Sequence, residues 1–301
     1  MHDDQLHIDT EIARAMLAEQ FPQYGDEPVV RLPSSGTVNA IFRVGRNATA
    51  RFPLQPQDAV RAAERLASEA QAAGEFAMHC TVPAPRSLGI GRPGPGYPMP
   101  WTLQNWIAGD IATPHGLAAS DAFANDLAEL IAALRSVDVD GQQFDGIGRG
   151  GQLMVHDDWM ATCFANSEGL LQVERLTGLW AWMRKLPTDG PDVMSHKDLI
   201  PANLLVRDGR LAGVLDAGSF GPADPALDLV AAWHLFDAER RTIIGARLGS
   251  SEVEWQRGAA WAFVQAMGLV WYYLDSNPTM AALGRSTLDR LLGDPVISTL
   301  P

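Results

Sequence analysis

The chain has 301 residues, of which 47% are hydrophobic and 20% are charged, and its formal net charge at pH 7 is −13. This composition is typical of a folded globular protein with enough sequence for two lobes, and it excludes a disordered chain. The acidic balance argues against a nucleic-acid partner, which requires a clustered basic surface, but it is compatible with a cationic small-molecule substrate.

The cysteine residues and the hydropathy pattern indicate in which compartment the protein is expected. Cys80 and Cys163 lack metal-ligand spacing, so two reduced thiols are expected. The N-terminal residues contain no apolar segment of the kind found in a secretory signal peptide. The apolar run 259–274 is interrupted by Gln265 and is too short to span a bilayer, so it predicts a core helix. We therefore expect a cytoplasmic protein with no membrane partner. The sequence leaves open whether it is a monomer or a homodimer.

The first hundred residues predict a small antiparallel sheet and two helices. Asp9 and Thr10 are candidate N-caps for the first helix. The Ala-, Glu- and Arg-rich segment 57–79 predicts the second helix. β-like runs separated by turn-forming residues predict strands at 29–32, 38–44, 48–52, 86–90 and 101–104. Residues 1–104 are the predicted N-terminal lobe.

From residue 105 onward the pattern becomes helical. Residues 105–110 are the predicted hinge, and 111–301 are the predicted C-terminal lobe. Its predicted helices cover 119–136, 157–165, 170–186, 225–247, 252–275 and 278–292. The strand signals in this half form one hairpin, 204–207 and 211–215. The sequence therefore predicts an α+β fold with a β-rich N-terminal lobe and a mostly helical C-terminal lobe.

The loop before this hairpin carries the residue types that phosphoryl transfer requires. His196, Asp198 and Asn203 precede the first strand, and Asp216 follows the second. A carboxylate can accept a hydroxyl proton, while amide and carboxylate oxygens can hold Mg²⁺. The alternative is a turn in which the Asp and Asn side chains satisfy local backbone groups.

These residues resemble the catalytic core of the aminoglycoside phosphotransferase family, which has a protein-kinase-like fold. The family pattern is His-Gly-Asp, four residues and Asn, then Asp-x-Gly, then Gly-Asp-Pro-Ala-x-Asp-Leu. The corresponding residues here are His196-Lys197-Asp198, Asn203, Asp216-Ala217-Gly218 and 223–229. The resemblance implies that Asp198 is the catalytic base and that Asn203 and Asp216 are Mg²⁺ ligands.

The same resemblance implies supporting roles around the base. His196 is expected to fix the loop by packing and hydrogen bonding. Lys197 replaces the usual Gly and either neutralises the transferring phosphate or points to solvent. Asp224 is expected to be structural, in the manner of a helix N-cap, and Asp228 matches a family residue thought to brace the catalytic loop.

The N-terminal lobe is then expected to hold ATP or GTP. Ser34, Ser35 and Gly36, between two strands, occupy the place of the loop that covers the phosphates. Arg51 stands where protein kinases use Lys to grip the α- and β-phosphates, and its guanidinium can serve the same purpose. Glu69 on the following helix is its expected ion-pair partner, and Glu64 is the second candidate.

The connector between the lobes resembles the kinase hinge. The main chain of Asn105 and of Ile107 is expected to bind adenine, and Trp106 is expected to pack between the lobes rather than to stack on the base.

The sequence indicates the acceptor molecule less clearly than it indicates the nucleotide. Acidic residues of the C-terminal half could bind the ammonium groups of an amino sugar, and the candidates are Asp157, Asp158, Asp237 and Glu239. The aromatic residues of the same region would suit a less charged ligand such as a macrolide.

The predicted function is an ATP- (or GTP-) and Mg²⁺-dependent O-phosphotransferase acting on a small molecule, with an aminoglycoside or another antibiotic as the expected acceptor. The alternatives are a macrolide or metabolite kinase of the same fold, and a non-catalytic nucleotide-binding pseudokinase, which Arg51 and Lys197 leave open. A protein kinase is disfavoured because no Ala-Pro-Glu segment follows Asp216.

Overall fold

The computed structural model describes residues 5–33, 39–295 and 297. The chain divides into two compact units. The sheet unit comprises 1–78, 83–108 and 216–219, and the helical unit comprises 79–82, 109–215 and 220–301. The short segment 216–219 therefore belongs to the sheet unit, although in sequence it follows the hairpin of the helical unit.

A five-stranded antiparallel sheet forms the centre of the sheet unit, with strand order β1-β2-β3-β5-β4. The strands are β1 (Val29–Arg31), β2 (Asn39–Val44), β3 (Ala48–Pro53), β4 (Ser87–Gly91) and β5 (Trp101–Asn105). The helices are α1 (Thr10–Gln20) and α2 (Ala59–His79), and a 3₁₀ turn covers Pro22–Tyr24. The predicted order of helix, three strands, helix and two strands is confirmed.

Alternating burial explains why these residues form a sheet with one packed face. In β2, Ala40, Phe42 and Val44 are buried while the intervening residues are partly exposed. Phe52 stacks on Trp101 with ring centroids 4.7 Å apart. Asp9 caps α1 as predicted, because its Oδ1 accepts a hydrogen bond from Ile12 N at 2.8 Å.

Eight helices account for about half of the described part of the helical unit. They are α3 (Pro114–Leu117), α4 (Asp121–Arg135), α5 (Asp157–Asn166), α6 (Val173–Met183), α7 (Val230–Leu235), α8 (Ala238–Leu248), α9 (Glu252–Tyr272) and α10 (Pro278–Gly293). Further 3₁₀ turns cover Leu153–His156, Pro201–Asn203 and Leu227–Leu229. The apolar run that predicted a core helix lies in α9, where Trp261, Phe263 and Met267 are fully buried.

Two small antiparallel sheets complete this unit. The strands are β6 (Asp110–Ile111), β7 (Val193–Ser195), β8 (Leu204–Arg207), β9 (Arg210–Val214) and β10 (Gly221–Ala223). They form one sheet of order β6-β8-β9 and another that pairs β7 with β10. The predicted hairpin is confirmed as β8 and β9, with Leu204 opposite Val214.

The structure corrects the sequence prediction in two places. The single helix predicted at 225–247 is wrong, because the chain is extended at Phe236 (φ −106°, ψ 153°). Asp237 then caps the new helix α8 by accepting a hydrogen bond from Arg240 N. Strands β6, β7 and β10 were not predicted, because two or three residues carry no periodicity and depend on a distant partner strand.

Among the described helices, none combines the length and apolar character needed to cross a membrane.

Candidate active site

The catalytic loop begins where β7 ends, and His196 anchors it. The side chain is fully buried. Its Nδ1 accepts a hydrogen bond from Asp198 N at 3.3 Å, which leaves Nε2–H to donate to Leu215 O at 2.9 Å. The ring therefore links the loop to the end of the β8–β9 hairpin. This geometry supports the predicted loop-fixing role.

Asp228 braces the same loop from the opposite side. Its Oδ1 accepts a hydrogen bond from Ser195 Oγ at 2.9 Å, and its Oδ2 accepts one from His196 N at 3.0 Å. Ser195 Oγ in turn accepts a hydrogen bond from Lys197 N at 3.0 Å. Burial raises the pKa of Asp228, while the nearby His196 and these donors favour its ionised form.

Asp198 lies at the centre of a cluster of hydrogen-bond donors. Within the described chain, Oδ1 accepts from Arg149 Nη2 at 2.5 Å and from Gln265 Nε2 at 3.2 Å. Oδ2 accepts from Asn203 Nδ2 at 3.1 Å. The Asp198 side chain is 35% exposed, so a substrate can reach it. An oriented, accessible carboxylate of this kind can act as a general base.

Arg149 and Gln265 are site residues that the sequence interpretation missed. Arg149 lies in Gly146-Ile-Gly-Arg-Gly-Gly151, where the glycine density was an available signal for a functional loop. Gln265 is the one polar residue in the apolar run 259–274, a second available signal.

Asn203 has the chemistry of a magnesium ligand. Its amide nitrogen donates to the Asp198 carbonyl at 2.8 Å as well as to the carboxylate, which leaves Oδ1 as the atom that could contact a cation. Its carbonyl accepts from Leu215 N at 2.7 Å, one residue before Asp216. The described residues hold no group of three or more His, Cys, Asp or Glu side chains that could bind a metal.

A cleft inside the sheet unit brings together three predicted site residues. Arg51, Glu69 and Asp216 all line it, together with Thr102 and Gln104 of β5. Gly218 also lines this cleft, and a Cβ there would lie 3.0 Å from Glu69 Cβ. A glycine therefore lets segment 216–219 lie against α2.

The prediction of an ion pair between Arg51 and Glu69 is wrong. Arg51 Nη1 donates instead to Asp216 Oδ1 at 3.0 Å. Glu69 Oε1 accepts from Arg65 Nη1 at 2.7 Å. Arg65 stands one turn earlier on the same helix, at the i,i+4 spacing that makes two helix side chains neighbours.

The predicted hinge residues differ in their hydrogen bonding. Asn105 N donates to Arg86 O at 3.2 Å, so this amide is already used. Trp106 N donates to Asn47 O at 2.8 Å, and the Trp106 ring lies 3.9 Å from the Arg43 guanidinium. The main chain of Ile107 makes no hydrogen bond within the described residues, so it is the better candidate for contact with adenine. Ser34, Ser35 and Gly36 lie outside the described residues.

Lys197 adopts a backbone conformation that explains the glycine of the family pattern. Its φ is +65°, in the left-handed region that glycine occupies without strain. Its ammonium lies 5.4 Å from the centre of the Phe144 ring, close enough for a cation–π interaction. Neither of the two roles expected for Lys197 included a contact with an aromatic ring.

Most of the predicted acceptor-binding acids are engaged by arginine. Asp157 pairs with Arg184, a contact that lowers the pKa of this carboxyl, and it also accepts from Trp180 Nε1. Asp237 and Glu239 both contact Arg240. Asp158 stands in the first turn of α5. These contacts weaken the prediction of a strongly acidic acceptor pocket.

Comparison with known proteins places the chain in a family. The profile of the Phosphotransferase enzyme family (APH) matches residues 29–261, so the chain belongs to this family. It is a phosphotransferase with the bilobal kinase-like fold, as the resemblance implied. The search of curated proteins finds no match.

Solved structures of aminoglycoside and macrolide phosphotransferases share the fold. The GDP and kanamycin complex of APH(2")-IIia has a TM-score of 0.68 at 19% identity, over 92% of this chain and 97% of that one. The macrolide 2'-phosphotransferase MphH from Brachybacterium faecium has a TM-score of 0.61 at 18% identity, over 93% and 98%. The ADP-bound aminoglycoside phosphotransferase APH(2'')-Ib has a TM-score of 0.58 at 18% identity, over 93% and 98%.

Proposed function

We propose that this enzyme transfers the γ-phosphate of ATP or GTP to a hydroxyl group of a small molecule in a Mg²⁺-dependent reaction. The observation that carries the proposal is the environment of Asp198. Three side chains orient its carboxylate, yet a third of it stays accessible. A turn residue that only satisfied local backbone would not need donors from a distant loop and a distant helix.

Asp198 Oδ2 is the atom best suited to accept the proton. Among the described residues it accepts one hydrogen bond, from Asn203, whereas Oδ1 accepts two. The acceptor O–H would donate to Oδ2 as its oxygen bonds to the γ-phosphorus. The bond from that phosphorus to the β–γ bridging oxygen breaks, and the nucleoside diphosphate leaves. Arg149 would hold the carboxylate in its orientation before the transfer.

Arg51 and Ile107 of the sheet unit are the nucleotide-binding groups in this proposal. Arg51 would release Asp216 and pair with phosphate oxygens, to which its planar guanidinium is well suited. Ile107 would bind adenine through its main chain. Asn203 and Asp216 would hold Mg²⁺, which, when bound, neutralises the charge that develops on the phosphate oxygens. Ser34, Ser35 and Gly36 stay predicted phosphate-loop residues.

The relatives of known structure make antibiotics the first acceptors to test. Kanamycin occurs in one of the similar complexes, and another relative is a macrolide phosphotransferase. Because three of the four candidate acids contact arginine, the macrolide and other weakly charged acceptors deserve equal weight with the aminoglycosides.

The test is a screen for transfer of labelled γ-phosphate over aminoglycosides, macrolides, peptide antibiotics, and small sugars and amines. We expect one acceptor class to be labelled, and the labelling to stop with excess EDTA and return with Mg²⁺. Asp198→Asn should lower kcat by about 10² to 10⁴, the usual contribution of a general base, with ATP binding preserved in calorimetry. ATP binding without transfer to any acceptor would favour the pseudokinase, and a folded Asp198→Asn protein with wild-type turnover would refute the assignment of the base.

A further inference from the structure

A buried histidine outside the proposed chemistry connects to the base through Gln265. His234 on α7 is fully buried, and its Nε2 lies 2.9 Å from Gln265 Oε1 on α9. Its Nδ1 lies 2.8 Å from Thr287 Oγ1 on α10, which is also buried. Gln265 Nε2 then donates to Asp198 Oδ1. Three helices of the helical unit are thus joined to the base by one chain of hydrogen bonds.

The position of each hydrogen in this chain follows from the charge of its two ends. An ionised Asp198 only accepts hydrogen bonds, so the Gln265 amide must present its N–H groups to Asp198 and its oxygen to His234. The amide oxygen also only accepts, so His234 must carry its proton on Nε2. Nδ1 then accepts from the Thr287 hydroxyl. Burial lowers the pKa of His234 to about 4, which leaves the ring neutral at pH 7 and makes this single tautomer the satisfied one.

The opposite arrangement leaves unfavourable contacts at the base. If Thr287 donates to Leu283 O, which lies at 2.9 Å, His234 must use Nδ1–H to donate to Thr287. The bare Nε2 would then face the amide oxygen, and relief by an amide flip would turn that oxygen towards the Asp198 carboxylate. Either contact sets two acceptors against each other, which is costly where water is excluded.

We propose that Gln265 is a positioning residue for Asp198, and that His234, held as its Nε2–H tautomer, fixes the Gln265 amide so that an N–H always faces the carboxylate. The proposal rests on the proposed function, in which Asp198 accepts the acceptor proton.

The two donors to Asp198 Oδ1 come from different kinds of structural element. Arg149 comes from a loop in which Gly146, Gly148 and Gly150 all have positive φ. Gln265 lies on a 21-residue helix whose neighbouring side chains, such as Val264 and Ala266, are buried. In this proposal the Gln265 amide, which His234 also contacts, sets the direction of the carboxylate, while Arg149 supplies charge.

The first test is spectroscopic and needs no turnover. Long-range ¹H–¹⁵N correlation on protein with labelled histidine reports the tautomer of each of the seven histidines, and His234→Gln assigns the signal. We expect the Nε2–H tautomer for His234 in the wild type, and a loss of this preference in Gln265→Met. An Nδ1–H tautomer in the wild type would overturn the proposal.

The second test separates kcat from KM. Gln265→Glu keeps an oxygen for His234 but sets a second oxygen against Asp198, so kcat should fall about 10- to 100-fold, the value of a hydrogen bond to a charged group. KM for ATP should stay within about twofold, because Gln265 acts only through the base. Gln256→Met, nine residues earlier on α9 where Gln256 donates to Glu252, is the matched control and should keep wild-type kcat.

The outcomes distinguish this proposal from the proposed function. If Gln265→Glu has the kcat of the Gln256→Met control, the positioning role is refuted while the phosphotransferase stands. If the wild type transfers phosphate to no acceptor, the proposed function fails, and the tautomer measurement still decides whether the hydrogen-bond chain exists.

Discussion

The buried ion pair between Asp224 and Arg257 offers a sharp test of how the helical unit is held together. Asp224 is 3% exposed and Arg257 is fully buried. Asp224 Oδ2 accepts from Arg257 Nε at 2.8 Å, from Arg257 Nη2, and from Trp261 Nε1 at 2.8 Å, and Oδ1 accepts from Ala226 N at 3.0 Å. The perturbation is Asp224→Ala, which removes all of these acceptors at once.

The expected loss of stability is large because Arg257 keeps its charge after the substitution. Its remaining partners are carbonyl oxygens, including those of Leu186 at 2.7 Å and Gly151 at 3.1 Å, and these do not neutralise it. Removing one member of a buried pair costs about 3–5 kcal/mol of unfolding free energy. The double variant Asp224→Leu with Arg257→Met should recover part of that loss, because no unpaired charge stays buried.

The assay is urea unfolding followed by tryptophan fluorescence, to which Trp261 inside the network contributes. Glu239→Ala is the control, since Glu239 pairs with Arg240 while its side chain is 76% exposed, and it should leave the unfolding midpoint unchanged. If Asp224→Ala unfolds at the wild-type urea concentration, the pair does not stabilise this unit. If it folds normally but loses catalysis, the structural role expected for Asp224 is wrong.

Two further substitutions test the nucleotide site and the catalytic loop. Arg51→Met should weaken ATP binding about tenfold or more in calorimetry, because a charged contact to phosphate is lost. Glu69→Gln should weaken ATP binding less, because Glu69 pairs with Arg65. Equal ATP binding by the wild type and Arg51→Met would contradict the phosphate role of Arg51. Lys197→Gly should raise the unfolding free energy by up to about 1 kcal/mol, because glycine adopts the left-handed conformation without strain. Lys197→Met, which removes the charge and keeps the strain, is its control, and a less stable Lys197→Gly protein would refute the strain argument.

The sequence by itself determined most of the elements and the centre of the candidate site. Helices and strands with a strong local signal, such as α2, α9 and β2, occur where the sequence predicts them. A long helix-forming segment, a long apolar run and an alternating strand each carry their signal over many consecutive residues. The spacing of His196, Asp198 and Asn203 was readable because these residues share one loop.

Only the tertiary structure decided which residues surround that loop. Arg149 and Gln265 reach Asp198 from 49 and 67 residues away, and Asp216 reaches Arg51 across 165 residues. Such pairings depend on how packed elements meet, and no local pattern encodes a partner at that separation. The same reason explains why the predicted Arg51–Glu69 ion pair was wrong. In the folded chain Asp216 pairs with Arg51 and Arg65 pairs with Glu69, and these pairings depend on the folded positions of α2 and segment 216–219.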